Sequence, residues 1–416
     1  MATAAVGVRQ HAPVRVADLR PLRHRDTRWV IAGATAWGVL DITIGLFGAL
    51  YLLRAGGGLR SAALWLLPLG TALGLVFLAG RPVFSRIGTR PFRLASPLGA
   101  IGVAIAFALL GARAADPVVT IVLSTVWATA QGLHWSAFNL VEFRRVPAED
   151  RAPYFALLSR LGVVIAAVVP LVAGWFVAQF SDLTGYRSLF VLVAFVGGLV
   201  FFTAWRTPTY RTAPEPGRLW LALATPAGRW ATLGVGFRGF WDLGGMRMML
   251  PILLLALVGG ESGYGVFQAA NAIAIFAGYT LSTRVLVRMP IAQALRIGML
   301  GMLLGNLLFV AIPHVAVLFV FVPLSGVAMA VWGNASFVAN QSLIDRTVGD
   351  DAYTFIVVRE LALSITRTLA AAVAIIATVI AGDAAARPLM AALMLAPIAG
   401  WYCTQRALRE AAAPVP

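Results

Sequence analysis

The 416-residue chain has no lysine, a single cysteine and little charge of any kind. Each absence excludes something. Without lysine there is no P-loop, whose lysine is obligatory, so a nucleotide-driven motor is not expected; no cofactor is expected either. One cysteine, Cys403, allows no internal disulfide and no thiolate zinc cluster. The histidines, His11, His24, His134 and His314, are scattered, and neither H-E-x-x-H nor G-x-S-x-G occurs. The common zinc and serine routes to hydrolysis are therefore missing, and an enzyme is not expected. Charged residues make up only 12% of the chain, against roughly 25% in soluble domains.

What is there instead is apolar. Hydrophobic residues make up 60% of the chain and mean hydropathy is +0.85. Apolar runs of 18 or more residues recur throughout, each long enough to cross a hydrocarbon layer of about 30 Å as a helix. The spacing predicts spans near 29–53, 61–80, 95–112, 117–141, 154–178, 188–205, 230–258, 262–283, 292–312, 315–340, 353–381 and 387–405. The net charge of +16 sits in short arginine blocks between these runs, which fits membrane orientation better than nucleic-acid binding.

Arginine near span ends resists translocation, so its distribution tests the count. The tail (Arg9 to Arg28) and the clusters at 81–93, 144–151, 206–229, 284–296, 346 and 406–409 all fall on one side of an even-numbered array. The opposite loops hold only Arg54, Arg60, Arg113, Arg187 and Arg387. Both termini are expected in the cytoplasm, in the cytoplasmic (inner) membrane. Residues 1–28 lack an apolar core and read as a basic cytoplasmic tail, not a cleavable signal. The expected divisions are that tail, a six-helix bundle over 29–205, a Pro- and Arg-rich cytoplasmic linker over 206–229, a second six-helix bundle over 230–405 and a tail over 406–416.

An internal repeat supports the division. Trp37 to Asp41 (WGVLD) matches Arg238 to Asp242 (RGFWD), roughly 200 residues on; Trp135 matches Trp332, and Tyr154 with Arg160 matches Tyr353 with Arg359. In these features, and in the basic turn Gly80 to Arg90 (GRPVFSRIGTR), the chain resembles the major facilitator superfamily over nearly its whole length after the tail. Arg86, Gly88 and Arg90 match that family's loop signature, whereas Ser85 stands where it has an acid. Trp135 with Asn139, and Arg359 with Glu360, are similar to a subgroup of bacterial facilitators. The resemblance implies an all-α membrane protein of twelve transmembrane helices in two pseudo-symmetric bundles, with a central cavity and alternating access.

Ionisable groups at membrane depth cost about 3 kcal/mol each, so they face a cavity, a partner or water. Asp41 and Asp242 lie deep in their spans with small residues around them, and with Glu360 they are the candidates for proton coupling. A carboxylate moved between dry and wet surroundings changes its proton affinity, which suits loading and release. The competing reading is that they fasten helices by pairing with arginine; Arg238 lies one turn from Asp242. Gln131, His134, Trp135, Asn139, Arg238, Trp241, Arg247, Trp332 and Asn334 are candidates to line a substrate cavity, His134 having the alternative of a satisfied core residue. Glu142, Arg160, Arg359 and Arg367 are candidates for a gate or for helix tying, with anion binding as the alternative for the arginines.

The expected work is secondary transport of a small organic solute, energised by protons. Export is preferred because the cavity candidates combine aromatic residues with isolated charges. A lipid or amphiphile flippase, and a scaffold or sensor that moves nothing, are the alternatives. The expected partners are membrane lipids, a small-molecule substrate and protons, with no nucleic acid and no metal, and the chain is expected to act as a monomer.

Overall fold

The computed structural model describes residues 20–146, 151–211, 221–242, 250–347 and 352–412. Most of the basic tail, the middle of the linker and the candidate Arg247 lie outside them. The described residues are almost entirely helical. In chain order the helices are α1 Arg25–Ile42, α2 Gly48–Leu52, α3 Gly58–Ile87, α4 Arg90–Leu110, α5 Pro117–Arg145, α6 Arg151–Val177, α7 Thr184–Arg206 and α8 Leu221–Ala224. They continue with α9 Pro226–Gly239, α10 Leu250–Leu257, α11 Glu261–Arg288, α12 Ile291–Ala311, α13 Val315–Thr347, α14 Ala352–Ala381, α15 Ala386–Leu393 and α16 Ala396–Ala412. Among the described residues, 7 helical stretches are apolar and long enough to cross a membrane; two of them run for 56 residues, Arg25–Gly80 and Ile356–Ala411. Side chains such as Phe319 (82% exposed) and Ile380 (80% exposed) project from the outer surface. Only a hydrocarbon solvent makes that arrangement favourable.

Local chemistry sets the helix ends. The Asp116 side chain accepts hydrogen bonds from the backbone N–H groups of Val118 (2.9 Å) and Val119 (3.2 Å), and Pro117 opens α5 where no N–H is needed. Thr225 caps α9 in the same way through Gly228 N–H at 3.0 Å. Gly88, at φ +76°, ends α3, and a methyl group there would meet the Thr209 hydroxyl at 2.6 Å. That turn carries the basic loop. In place of the missing acid, its Thr89 N–H donates to the Tyr210 carbonyl (2.9 Å), Tyr210 N–H donates to the Thr89 hydroxyl (3.1 Å), and the Arg90 guanidinium lies 4.6 Å from the Trp205 ring.

The helices pack in two sets. In the first, α3 and α4 both pack on α5, α4 packs on α7, and α1 packs on α6 and α7. In the second, α13 packs on α11 and α12, and α9 packs on α14 and α16. Two broad contacts join the sets, α3 with α14 and α6 with α11. Under the repeat of roughly 200 residues α3 corresponds to α11 and α6 to α14, so the two joints are counterparts of each other. Both are close because they are built on glycine. A methyl group on Gly74 would lie 2.6 Å from the Ser364 hydroxyl, and one on Gly265 would lie 2.5 Å from the Pro170 carbonyl.

One reading of the sequence changes. Arg93, counted with the loop arginines, lies within α4 and is only 4% exposed, because Arg90 and Pro91 begin the helix five residues earlier than the apolar run suggests.

Candidate functional site

A cavity of about 320 Å³ lies between the two sets of helices. Asp41 of α1, Leu69, Leu73 and Phe77 of α3, and Gln131, Trp135 and Asn139 of α5 form one wall. Asp242, just beyond α9, and Arg359, Glu360 and Arg367 of α14 form the other. Three carboxylates and two guanidinium groups thus face one space, beside the amides of Gln131 and Asn139 and the apolar side chains of α3. Both acids of the internal repeat are among them.

The first wall is organised by a relay on one helix face. Gln131 and Trp135 are one turn apart on α5, and the Trp135 indole N–H donates to the Gln131 amide oxygen at 2.9 Å. With its oxygen engaged, Gln131 turns its N–H toward Asp41 and donates to that carboxylate. The α5 helix in this way orients the acid of α1.

The second wall is a chain of alternating charges. Arg359 donates to one oxygen of Glu360 through Nη2 (2.7 Å) and Nε (3.1 Å). The other Glu360 oxygen lies 3.8 Å from Arg367 Nη1, and Arg367 Nη2 donates to Asp242 at 2.7 Å. Glu360 and Arg367 are two turns apart on one face of α14, which is why they meet. The middle members are the less exposed ones, at 11% for Glu360 and 16% for Arg367, whereas Arg359 and Asp242 are each 34% exposed.

Both repeat acids sit where the helix departs from regular α winding. Asp41 is followed by a π turn at Thr43–Phe47, and Asp242 lies inside the one that starts at Phe240. Such turns add a residue to the helical circuit and recur at functional sites.

The remaining candidates fall elsewhere. His134 is 4% exposed and lies flat against Trp37, ring centroids 3.9 Å apart and planes 3° apart, so it packs α5 on α1 and does not line the cavity. Trp241 faces a separate small void with Asn271, Asn306 and Ser325. Arg238 lies over the Trp332 ring at 5.3 Å, and Trp332 in turn packs on Gly298 of α12. Asn334 donates to the Ser282 hydroxyl, tying α13 to α11. Glu142 is largely buried near the end of α5, and Arg160 is half-buried on α6; neither lines the cavity.

Sequence reasoning missed a second cluster. On the face opposite the start of α1, called the far face below, Arg54 forms a bidentate pair with Glu261 through Nε (2.6 Å) and Nη2 (3.0 Å). The Tyr186 hydroxyl donates to the same carboxylate at 2.8 Å. Nearby, the Leu59 backbone N–H donates to Asp383 at 2.9 Å. Each of these links the first set of helices to the second. Their separations along the chain, up to 324 residues, leave no local pattern to find.

Solved structures share this fold. The chain matches the nucleoside transporter NupG with a TM-score of 0.67 at 12% identity, covering 91% of this chain and 98% of that one. A proton-dependent oligopeptide transporter matches at 0.67 and 14%, covering 92% and 97%. A bacterial homologue of the iron transporter ferroportin, in an inward-facing state, matches at 0.65 and 14%, covering 93% and 97%. No protein-family model and no curated protein sequence matches the chain. The fold is that of major facilitator transporters, a multi-pass helical membrane protein.

Proposed function

We propose that the chain is a secondary transporter that carries a small organic solute across the cytoplasmic membrane by alternating access. The two sets of helices act as the moving bodies, and the cavity between them is the binding site. The observation that supports this reading is the convergence of Asp41 and Asp242, the matched acids of the repeat, on one cavity between the sets. Its volume of about 320 Å³ suits a small metabolite.

Proton coupling is part of the proposal. Transport driven by an ion gradient needs a group that binds the ion in one state and releases it in the other, and the three cavity carboxylates are suited to it. Protonating Asp242 or Glu360 would loosen the charge chain on α14, which gives proton binding a mechanical consequence. Export is the direction we propose, with both termini in the cytoplasm.

Purified protein in vesicles loaded with a pH-sensitive dye tests this against pools of metabolites. Proton movement that depends on one pool, and that disappears in Asp41→Asn or Asp242→Asn, is the expected result. Undiminished solute-linked proton movement in both variants would remove the proposed proton carriers.

A further inference from the structure

We infer that a crevice on the far face, between α10, α12 and α15, binds an anionic phospholipid, with an acyl chain in the crevice and the phosphate on Arg387. This site is separate from the transport cavity and does not depend on its assignment. The crevice measures about 120 Å³ and is lined by Leu253, Leu257, Phe309, Val310, Pro313 and Arg387. Leu253 and Leu257 are one turn apart on α10, Val310 is in the last turn of α12 and Pro313 lies two residues beyond it. Phe309 forms the floor; it is 2% exposed and stacks on Phe321 at 4.9 Å, so the hollow does not collapse by a simple ring rotation.

Arg387 makes the crevice more than an apolar gap. It is exposed in the first turn of α15, where the chain enters the membrane from the far-face link. Arginine is scarce on this face, and two of its other members are already engaged. Arg54 is held by Glu261, and Arg187 donates through Nε to the Ala108 carbonyl at 2.6 Å. No hydrogen bond or ion pair of Arg387 occurs among the described residues. The acid one turn before it, Asp383, is engaged by the Leu59 N–H.

A guanidinium at the rim of a bilayer takes an anion, and its fork of N–H donors matches the oxygens of a phosphate. A free phosphate would leave the apolar lining empty. A phospholipid satisfies both parts at once, since the hydrocarbon fills the crevice and the headgroup reaches Arg387. A net-negative headgroup is favoured because a headgroup ammonium would be repelled by the same guanidinium.

Native mass spectrometry of the purified full chain, with phosphatidylglycerol, diacylglycerol of the same chains, or inorganic phosphate added, tests the site. Wild type and Arg60→Gln, an exposed far-face control, are expected to retain phosphatidylglycerol alike. Arg387→Gln is expected to lower that retention by about fivefold, the loss of a charge-assisted contact. Leu253→Trp, which fills the crevice and leaves Arg387 in place, is expected to lower it similarly. Equal retention in wild type and Arg387→Gln would overturn the proposal, as would full retention in Leu253→Trp or displacement of the lipid by inorganic phosphate. Elution as a single symmetric peak checks each variant for folding.

Discussion

Arg367 Nη2 donates to the Asp242 carboxylate across 2.7 Å, joining residues that lie 125 positions apart in the chain. The pair ties the end of the α9 segment to α14 from inside the cavity, and Glu360 sits on the other side of the same guanidinium at 3.8 Å. Arg367 therefore serves two acids.

Removing the shared cation costs more than removing either acid. Arg367→Gln leaves Asp242 and Glu360 facing each other across a partly dry space, at an expected cost of about 2–3 kcal/mol. Asp242→Asn leaves the Glu360 contact in place and should cost about half as much. Thermal unfolding in detergent measures the difference. Equal shifts in the two variants would mean that the second acid is not held by Arg367.

The Trp135 to Gln131 to Asp41 relay predicts a sharp difference between near-isosteres. Gln131→Glu puts an anion against Asp41, so two carboxylates must share a proton. Solute transport should fall about tenfold near neutral pH, a barrier change of about 1.4 kcal/mol, and recover partly as the pH is lowered. A wild-type pH profile in Gln131→Glu vesicles would show that the amide does not hold the acid.

Close approach of α3 and α14 makes Gly74 intolerant. A methyl group there would lie 2.6 Å from the Ser364 hydroxyl and 2.7 Å from its Cβ, so Gly74→Ala should destabilise by about 1–3 kcal/mol. Gly102, with open space where its side chain would be, provides the control. Its alanine variant should melt with wild type.

Far-face closure should depend on Arg54 more than stability does. Arg54 is 49% exposed in its pair with Glu261, so the pair adds at most about 1 kcal/mol to the fold. Its loss frees a link between the two sets of helices. In a Cys403→Ala background, a reporter in Leu69→Cys should react faster with an impermeant maleimide applied from the far face once Arg54→Ala is added. An unchanged labelling rate would show that other contacts hold that face shut.

Much of the fold was readable because hydrocarbon imposes a simple rule on sequence. The ends of α12 and α14 fall within a residue or two of the apolar runs at 292–312 and 353–381. Asp41 and Asp242 were readable as cavity-lining candidates because each is a costly charge inside such a run and each repeats the other. Arg93 was not readable, since a positively charged residue beside a loop looks the same whether it snorkels to water or turns inward. Only the packing of α4 against its neighbours distinguishes the two. The Glu261 cluster was invisible for a different reason. Its members are ordinary residues at helix ends, and three-dimensional proximity alone makes them a group.

The wide turn at Thr43–Phe47 has a consequence for the gene as well as for the helix. A circuit of this kind holds one residue more than the regular winding around it, so the segments before and after it are already offset in phase. Loss of a single codon there would tighten the coil while leaving both flanking faces aimed at their present neighbours. Elsewhere in the same helix a one-codon deletion would rotate everything beyond it by about 100° and expose its buried side to lipid.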